Sequence, residues 1–287
     1  MKPSMPQRAS PSSMPPAKAG TARQKGALPW LGRMFMGLWY LAGLGAAWII
    51  ISNFDADVFK RYGPRMLSGL LVTTQLVVLP LVMGAVIGLG LALMRLSGQR
   101  WLSLPANVYM TFFRGTPLLA QVFLIYYGAG QLRPWLQDVG LWGFFREAWY
   151  CVLLAFTLNT AAYQAEIYRV AIASVPKGQW EAADALGLPR RITFVRIILP
   201  QALITALRPL GNEVILMIKA SAIASVVTIL DLMGVTRLAF ARTFDFSVYL
   251  WAAVLYLIIV ETLRRLWTRL EARLTRHLGQ QARAGKG

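Results

Sequence analysis

The strongest constraint on this chain is a series of long apolar runs almost free of charge, each near the length a helix needs to cross a bilayer. A transmembrane helix takes roughly 20 residues, and in lipid every backbone polar group must be satisfied within the segment. That criterion predicts six transmembrane helices, at about 34–52, 67–93, 116–130, 149–169, 197–219 and 246–263. The third is short, and Thr116 and Pro117 are expected to start it as N-cap and first helical residue. The run at 35–51 is long for the apolar part of a signal peptide, and no small-residue cleavage site follows it.

Net charge is +18 with 56% hydrophobic residues, a combination that a soluble nucleic-acid binder does not need. The basic residues are unevenly placed. With the N-terminus inside, Lys and Arg number six in 1–33, three in 95–114, five in 169–196 and seven in 264–287, 21 in all. The other side holds eight, which predicts that both termini are cytoplasmic. Cys151 is the only cysteine and His277, in the basic C-terminal tail, the only histidine. Thiol or histidine metal sites and Ser-His-Asp triads are therefore excluded as central chemistry.

Residues 1–33 are rich in Pro, Ser and Ala and predict a disordered basic tail, with simple fixing of orientation favoured over contact with anionic lipid headgroups. Residues 220–245 are too apolar for an exposed loop and too interrupted for a span, so a re-entrant or surface-lying segment packed on protein is expected. No internal repeat is evident.

Between the fourth and fifth runs, KGQWEAADALG (177–187) predicts a short helix on the cytoplasmic surface. Glu181 near its start suits the helix dipole and Gly187 suits its C-terminal stop. Leu188-Pro189 then prevents continuation, and the next helix is expected to enter the membrane around Arg196. On pattern alone, an interfacial connector and a docking element both remain open, and Trp180 is either an interfacial anchor or a plug for a pocket on a docked protein.

The spacing is more specific. Glu181-Ala182-Ala183, Gly187, Ile197, Leu199 and Pro200 resemble the EAA signature of membrane subunits of bacterial ABC importers, with seven of seven positions matching. GLLVTTQLVVLPLVMG (69–84), FFRGTPLLAQVFLIYYG (112–128), NTAAYQAEIYRVAIASVPKGQWEAA (159–183) and RPLGNEVILMIK (208–219) are similar to blocks of the polar amino-acid and opine branch. Val170 departs from that branch's usual Gly, and Lys219-Ala220-Ser221-Ala222 from its Lys/Thr/Ser-rich run.

The resemblance implies an all-α integral membrane fold: a five-helix permease core at 66–263, an added N-terminal helix and external loop at 34–65, and tails at 1–33 and 264–287. It implies a cytoplasmic coupling helix in which Lys177, Trp180, Glu181, Ala182, Ala183 and Gly187 meet an ABC ATPase subunit. The implied partners are a pair of those ATPases, a second permease copy or similar permease, a periplasmic or lipid-anchored solute-binding protein and membrane lipid, with no nucleic acid. No cofactor is expected on this chain, which lacks a GxxxxGK[ST] phosphate loop, so ATP and Mg would sit on the partner and the chain would be no enzyme. The implied location is the bacterial cytoplasmic (inner) membrane, and the implied cargo a polar amino acid or derivative, with basic amino acids and opines favoured.

Polar residues inside spans are costly and ask for a reason. Asn159, Tyr163 and Glu166 share one face of the fourth span. Thr205, Arg208, Asn212 and Lys219 form a comparable stripe on the fifth, with Glu213 beside it. One account makes Asn159, Tyr163, Glu166, Arg208, Asn212 and Glu213 a substrate path, Glu166 meeting a cationic group and Arg208 a carboxylate. The other has these groups neutralise one another, for example Glu166 with Arg208, and brace the bundle. Arg114-Gly115-Thr116-Pro117 is expected to be structural, Arg114 anchoring to headgroups. A self-sufficient secondary transporter or channel is the competing function. It predicts repeats and gives a docking helix no use.

Overall fold

A computed structural model describes residues 29–52 and 55–275; the tail expectations for 1–28 and 276–287, including His277, lie outside the described residues. All regular structure among the described residues is helical. In order the helices are α1 (Pro29–Ser52), α2 (Ala56–Leu96), α3 (Arg100–Gly115), α4 (Leu118–Gln131), α5 (Arg133–Asp138), α6 (Trp142–Phe145) and α7 (Ala148–Ala173). They continue with α8 (Lys177–Ala185), α9 (Arg190–Thr193), α10 (Leu199–Ser221), α11 (Leu232–Thr243) and α12 (Ser247–Leu274). Residues up to Trp48 and from Ile49 onward form two compact units. Helix α1, most of it in the first unit, covers the predicted span 34–52.

Three described stretches are long and apolar enough to cross a membrane: Ala56–Leu96, Arg190–Val227 and Ser247–Leu274. A fourth arises if α3 and α4, bent by 103° at their junction, count together. At 1.5 Å per residue the 41-residue α2 is about 60 Å long, well beyond the hydrocarbon thickness. Helix α7 is long enough at 26 residues, but Asn159, Thr160, Gln164 and Glu166 interrupt its apolar character.

The main packing seam joins α2 to α7 through small residues. Gly84, Gly88 and Ala92 recur every four residues on α2; Gly84 and Gly88 face Ala161, Gly88 also Ala165, and Ala92 packs with Tyr168 and Ala171, letting two backbones approach closely where no water drives helices together. A Cβ on Gly88 would lie 2.9 Å from the Ala161 carbonyl oxygen and 3.1 Å from the Ala165 nitrogen.

The third predicted span needs correction. Thr116 does not cap a helix start: it ends α3, donating its hydroxyl to the Phe112 carbonyl at 2.7 Å, and α4 begins at Leu118 after Pro117. The proline excludes a helical conformation at Thr116, so the chain breaks there and turns sharply. Gln121 ties the bend, its amide donating to the Phe113 and Thr116 carbonyls and the Thr116 hydroxyl.

The 220–245 segment packs on protein as expected. Ser221 passes into a 3-10 helix (Ala222–Val227), Thr228 takes a left-handed φ of 67°, and Asp231 caps α11 by accepting from the Gly234 N–H at 2.8 Å. The Thr73 hydroxyl of α2 accepts the Leu232 N–H, and Leu232, Val235 and Ala239 are buried with Tyr62 and Met66 of α2.

Candidate functional site

Helix α8 follows α7 after three residues and precedes a five-residue π-helical turn (Phe194–Ile198) that leads into α10. Gly187 has φ +67° and closes the turn after α8, with the Leu188 N–H donating back to the Ala183 carbonyl at 3.0 Å. This is the stop that glycine makes cheap. Glu181 sits in the middle of α8 instead of near its start, because the helix begins at Lys177.

The two sides of α8 differ. Ala183 is buried, and Trp180 is half-buried against the cluster of Ile172, Val175 and Ile198, where it lines a cleft of about 410 Å³ with Leu93, Leu96 and Phe194. Trp180 therefore packs in part on its own chain and lines the cleft with its remaining surface. Lys177, Glu181, Ala182 and Gly187 are exposed, as is Leu186 at 77%.

The fourth-span stripe faces α3. Asn159 is buried and donates to the Gln121 side-chain oxygen (3.0 Å) and the Phe113 carbonyl (3.1 Å). Tyr163 lies under the Arg114 guanidinium, 5.6 Å from ring centroid to Cζ. Glu166 accepts from Arg95 at 2.5 Å and from both nitrogens of Arg169 that face it, with Arg114 at 3.6 Å.

The fifth-span stripe behaves differently. Thr205, Arg208, Asn212 and Lys219 are all on the exposed face of α10. Glu213 is buried on the other side, accepting from the Thr160 hydroxyl of α7 at 2.8 Å. Arg208 and Glu166 are not partners: Arg208 pairs with Glu271 of α12 at 2.8 Å. The example pair of the bracing account is therefore not formed, because helix rotation turns Arg208 away from α7 and toward α12, while Glu166 is neutralised by other arginines.

Several participants escape sequence reasoning. Arg95 and Arg169 count there only as loop charges, and Gln121, Thr160 and Gln164 carry no charge to flag them. Gln164 donates to the Leu81 carbonyl at 3.0 Å and accepts from the Tyr168 hydroxyl, so it sits inside the α2–α7 seam. The one signal, and only for Thr160 and Gln164, is the polar spacing Thr160, Gln164, Tyr168 at i, i+4, i+8 on α7.

Residues 84–276 match a family model described as binding-protein-dependent transport system inner membrane component. The chain belongs to this family. It is 44% identical over 219 residues to the octopine transport system permease protein OccM of Rhizobium radiobacter, covering 76% of this chain and 89% of that one. It is 43% identical over 232 residues to the nopaline transport system permease protein NocM of Agrobacterium fabrum, covering 80% and 95%. The arginine ABC transporter permease protein ArtM of Haemophilus influenzae is 38% identical over 218 residues, covering 76% and 95%.

Among solved structures, the permease is similar to a chain described as an amino acid ABC transporter with histidines. The TM-score is 0.67 at 35% identity, covering 77% of this chain and 99% of that one. The MetNI methionine ABC transporter shares the fold at 18% identity, with a TM-score of 0.59. The permease is thus a membrane component of an ABC transport system, with ATP hydrolysis assigned to a separate subunit.

Proposed function

We propose that this permease imports a guanidinium-bearing amino acid or an opine across the bacterial inner membrane, driven by an ATPase pair docked on α8. The observation that carries the docking is the two-sidedness of α8. Trp180 and Ala183 hold it to the α7–α10 core, while Glu181, Ala182 and Leu186 are left exposed on a helix closed by Gly187. A short helix fixed to two long ones passes a rotation on without absorbing it. The substrate class rests on relatives named for octopine, nopaline and arginine.

In this proposal the permease core at 66–263 has five spans, α1 adds a sixth, and both termini are cytoplasmic. It works beside a second copy or a similar permease and receives its solute from a periplasmic or lipid-anchored binding protein. Asn159, Tyr163, Glu166, Asn212 and Glu213 remain candidates for the path; Arg208, on the exposed face of α10 with Glu271, is the least supported.

The test compares tagged wild-type protein with Leu186→Asp in two measurements: co-purification of a phosphate-loop ATPase in mild detergent, and uptake of labelled arginine and octopine into cells. Leu186 is so exposed that the variant should fold. Loss of both ATPase and uptake in the variant supports docking at α8. An undiminished ATPase yield in the variant refutes it, and wild-type cells that take up neither solute refute the substrate class.

A further inference from the structure

The geometry points to a carboxylate-binding pocket between α2, α3 and α7, built on Arg114, at the end of these helices that adjoins α8. A cavity of about 240 Å³ is lined there by Arg95, Asn107, Met110, Thr111, Arg114 and Glu166. Three guanidinium groups, from Arg95, Arg114 and Arg169, converge on the single carboxylate of Glu166, so the cluster carries a net charge of +2. Uncompensated charge at a partly buried site is expensive, and a bound anion relieves it.

Arg114 is the group with unused capacity. Glu166 Oε2 already accepts from Arg95 and Arg169, and Oε1 accepts from Arg169. Arg114 stands 3.6 Å away and makes no hydrogen bond among the described residues, which leaves the donors of a planar fork suited to bidentate carboxylate recognition. Tyr163 beneath the guanidinium holds its plane in place. Asn107 and Thr111 also make no hydrogen bond among the described residues. With Arg114 they recur at i, i+4 and i+7 on one face of α3, so three polar side chains address the same cavity.

The cavity face is not the face on which α3 carries its exposed apolar residues. These residues, Trp101, Leu104, Val108 and Phe112, run down a stripe about 100° around the helix from Asn107, Thr111 and Arg114, at 100° per residue. Met110 is buried and Tyr109 and Phe113 pack beside it on a third stripe, toward α7. A polar cavity set apart from the apolar stripe suits a small solute and not an acyl chain. Resting on the substrate class proposed above, the occupant is the carboxylate of the transported solute: Arg114 grips it, Asn107 and Thr111 complete its hydrogen bonds, and Glu166 holds Arg95 and Arg169 in position.

The experiment measures thermal stability of the purified full-length chain in detergent against N-acetylglycine, which offers a carboxylate without an ammonium, and against N-acetylglycinamide, with sodium chloride matching ionic strength. Wild type should be stabilised by the acid and not by the amide. Arg114→Gln should weaken the apparent affinity for the acid at least tenfold, and Arg114→Lys should show an intermediate loss. Asn107→Asp, which places a carboxylate inside the cavity while keeping Arg114, should also abolish the response, and it carries the test should Arg114→Gln not survive purification. Equal responses to acid and amide in wild type, or an unchanged acid response in Asn107→Asp, overturn the pocket. Uptake of arginine and octopine by the complete transporter is measured separately. An acid-selective pocket in a transporter that carries neither solute supports the pocket and refutes the substrate class.

Discussion

Replacing Gly88 by alanine tests whether contact between α2 and α7 depends on the missing side chain. The added Cβ would sit 2.9 Å from the Ala161 carbonyl oxygen and 3.1 Å from the Ala165 nitrogen and the Gln164 Cβ. Ordinary contact begins near 3.5 Å, so the shortfall is about 0.6 Å. Two of the three obstacles are backbone atoms of a helix and cannot swing aside, so the helices must separate. A gap of that size forfeits a quarter to a half of each neighbouring contact, and overpacking typically costs about 1–3 kcal/mol. Gly90→Ala is the control, because nothing lies within 4 Å of its Cβ. Both variants gain the same helix propensity of about 0.5–1 kcal/mol, so the difference between them isolates the packing cost. Unfolding titrations of both proteins in mixed detergent–SDS micelles should place Gly88→Ala below Gly90→Ala by about 1–3 kcal/mol. Coincident midpoints would show that the α2–α7 seam yields freely and that the small-residue argument is wrong.

The remaining expectations concern polar contacts. Gln121→Leu removes the donor that spans the α3–α4 bend and should speed amide hydrogen exchange at 113–118; unchanged exchange would assign the bend to Pro117 alone. Trp267→Phe loses the indole hydrogen bond to the Leu207 carbonyl at 2.7 Å but keeps a ring against Gly211, so a loss of about 0.5–1.5 kcal/mol is expected by the same SDS titration. Arg208→Ala should leave the unfolding midpoint where it is, since the Arg208 side chain is 85% exposed and its pair with Glu271 is screened; a large shift would mean that this pair clamps α12 onto α10.

Part of the site is legible in the amino-acid sequence alone. Gly187 stands where a helix must stop, and its left-handed φ follows from a residue type that alone adopts it without penalty. The grouping of Asn159, Tyr163 and Glu166 on one face follows from helical periodicity, and all three do turn toward α3. Their partners are not legible there. Arg95 lies 71 residues before Glu166, and which of 30 basic residues meets a given carboxylate depends on how helices rotate about their axes. The same rotation sends Arg208 to Glu271 and Glu213 to Thr160, although the two residues lie only five apart in α10.

Apolar run length was enough to determine a helical membrane protein, and the resemblance of the Glu-Ala-Ala to Gly segment to the ABC importer signature was enough to point to a permease with a short helix at Lys177–Ala185. These signals are local, because in lipid each helix must satisfy its own backbone wherever its neighbours lie. The tertiary structure decided the rest: the broken α3–α4 pair, the partial packing of Trp180 on its own chain and the convergence of three arginines on Glu166. Each depends on contacts between residues distant in sequence, whose geometry is set by which small residues allow two helices to touch.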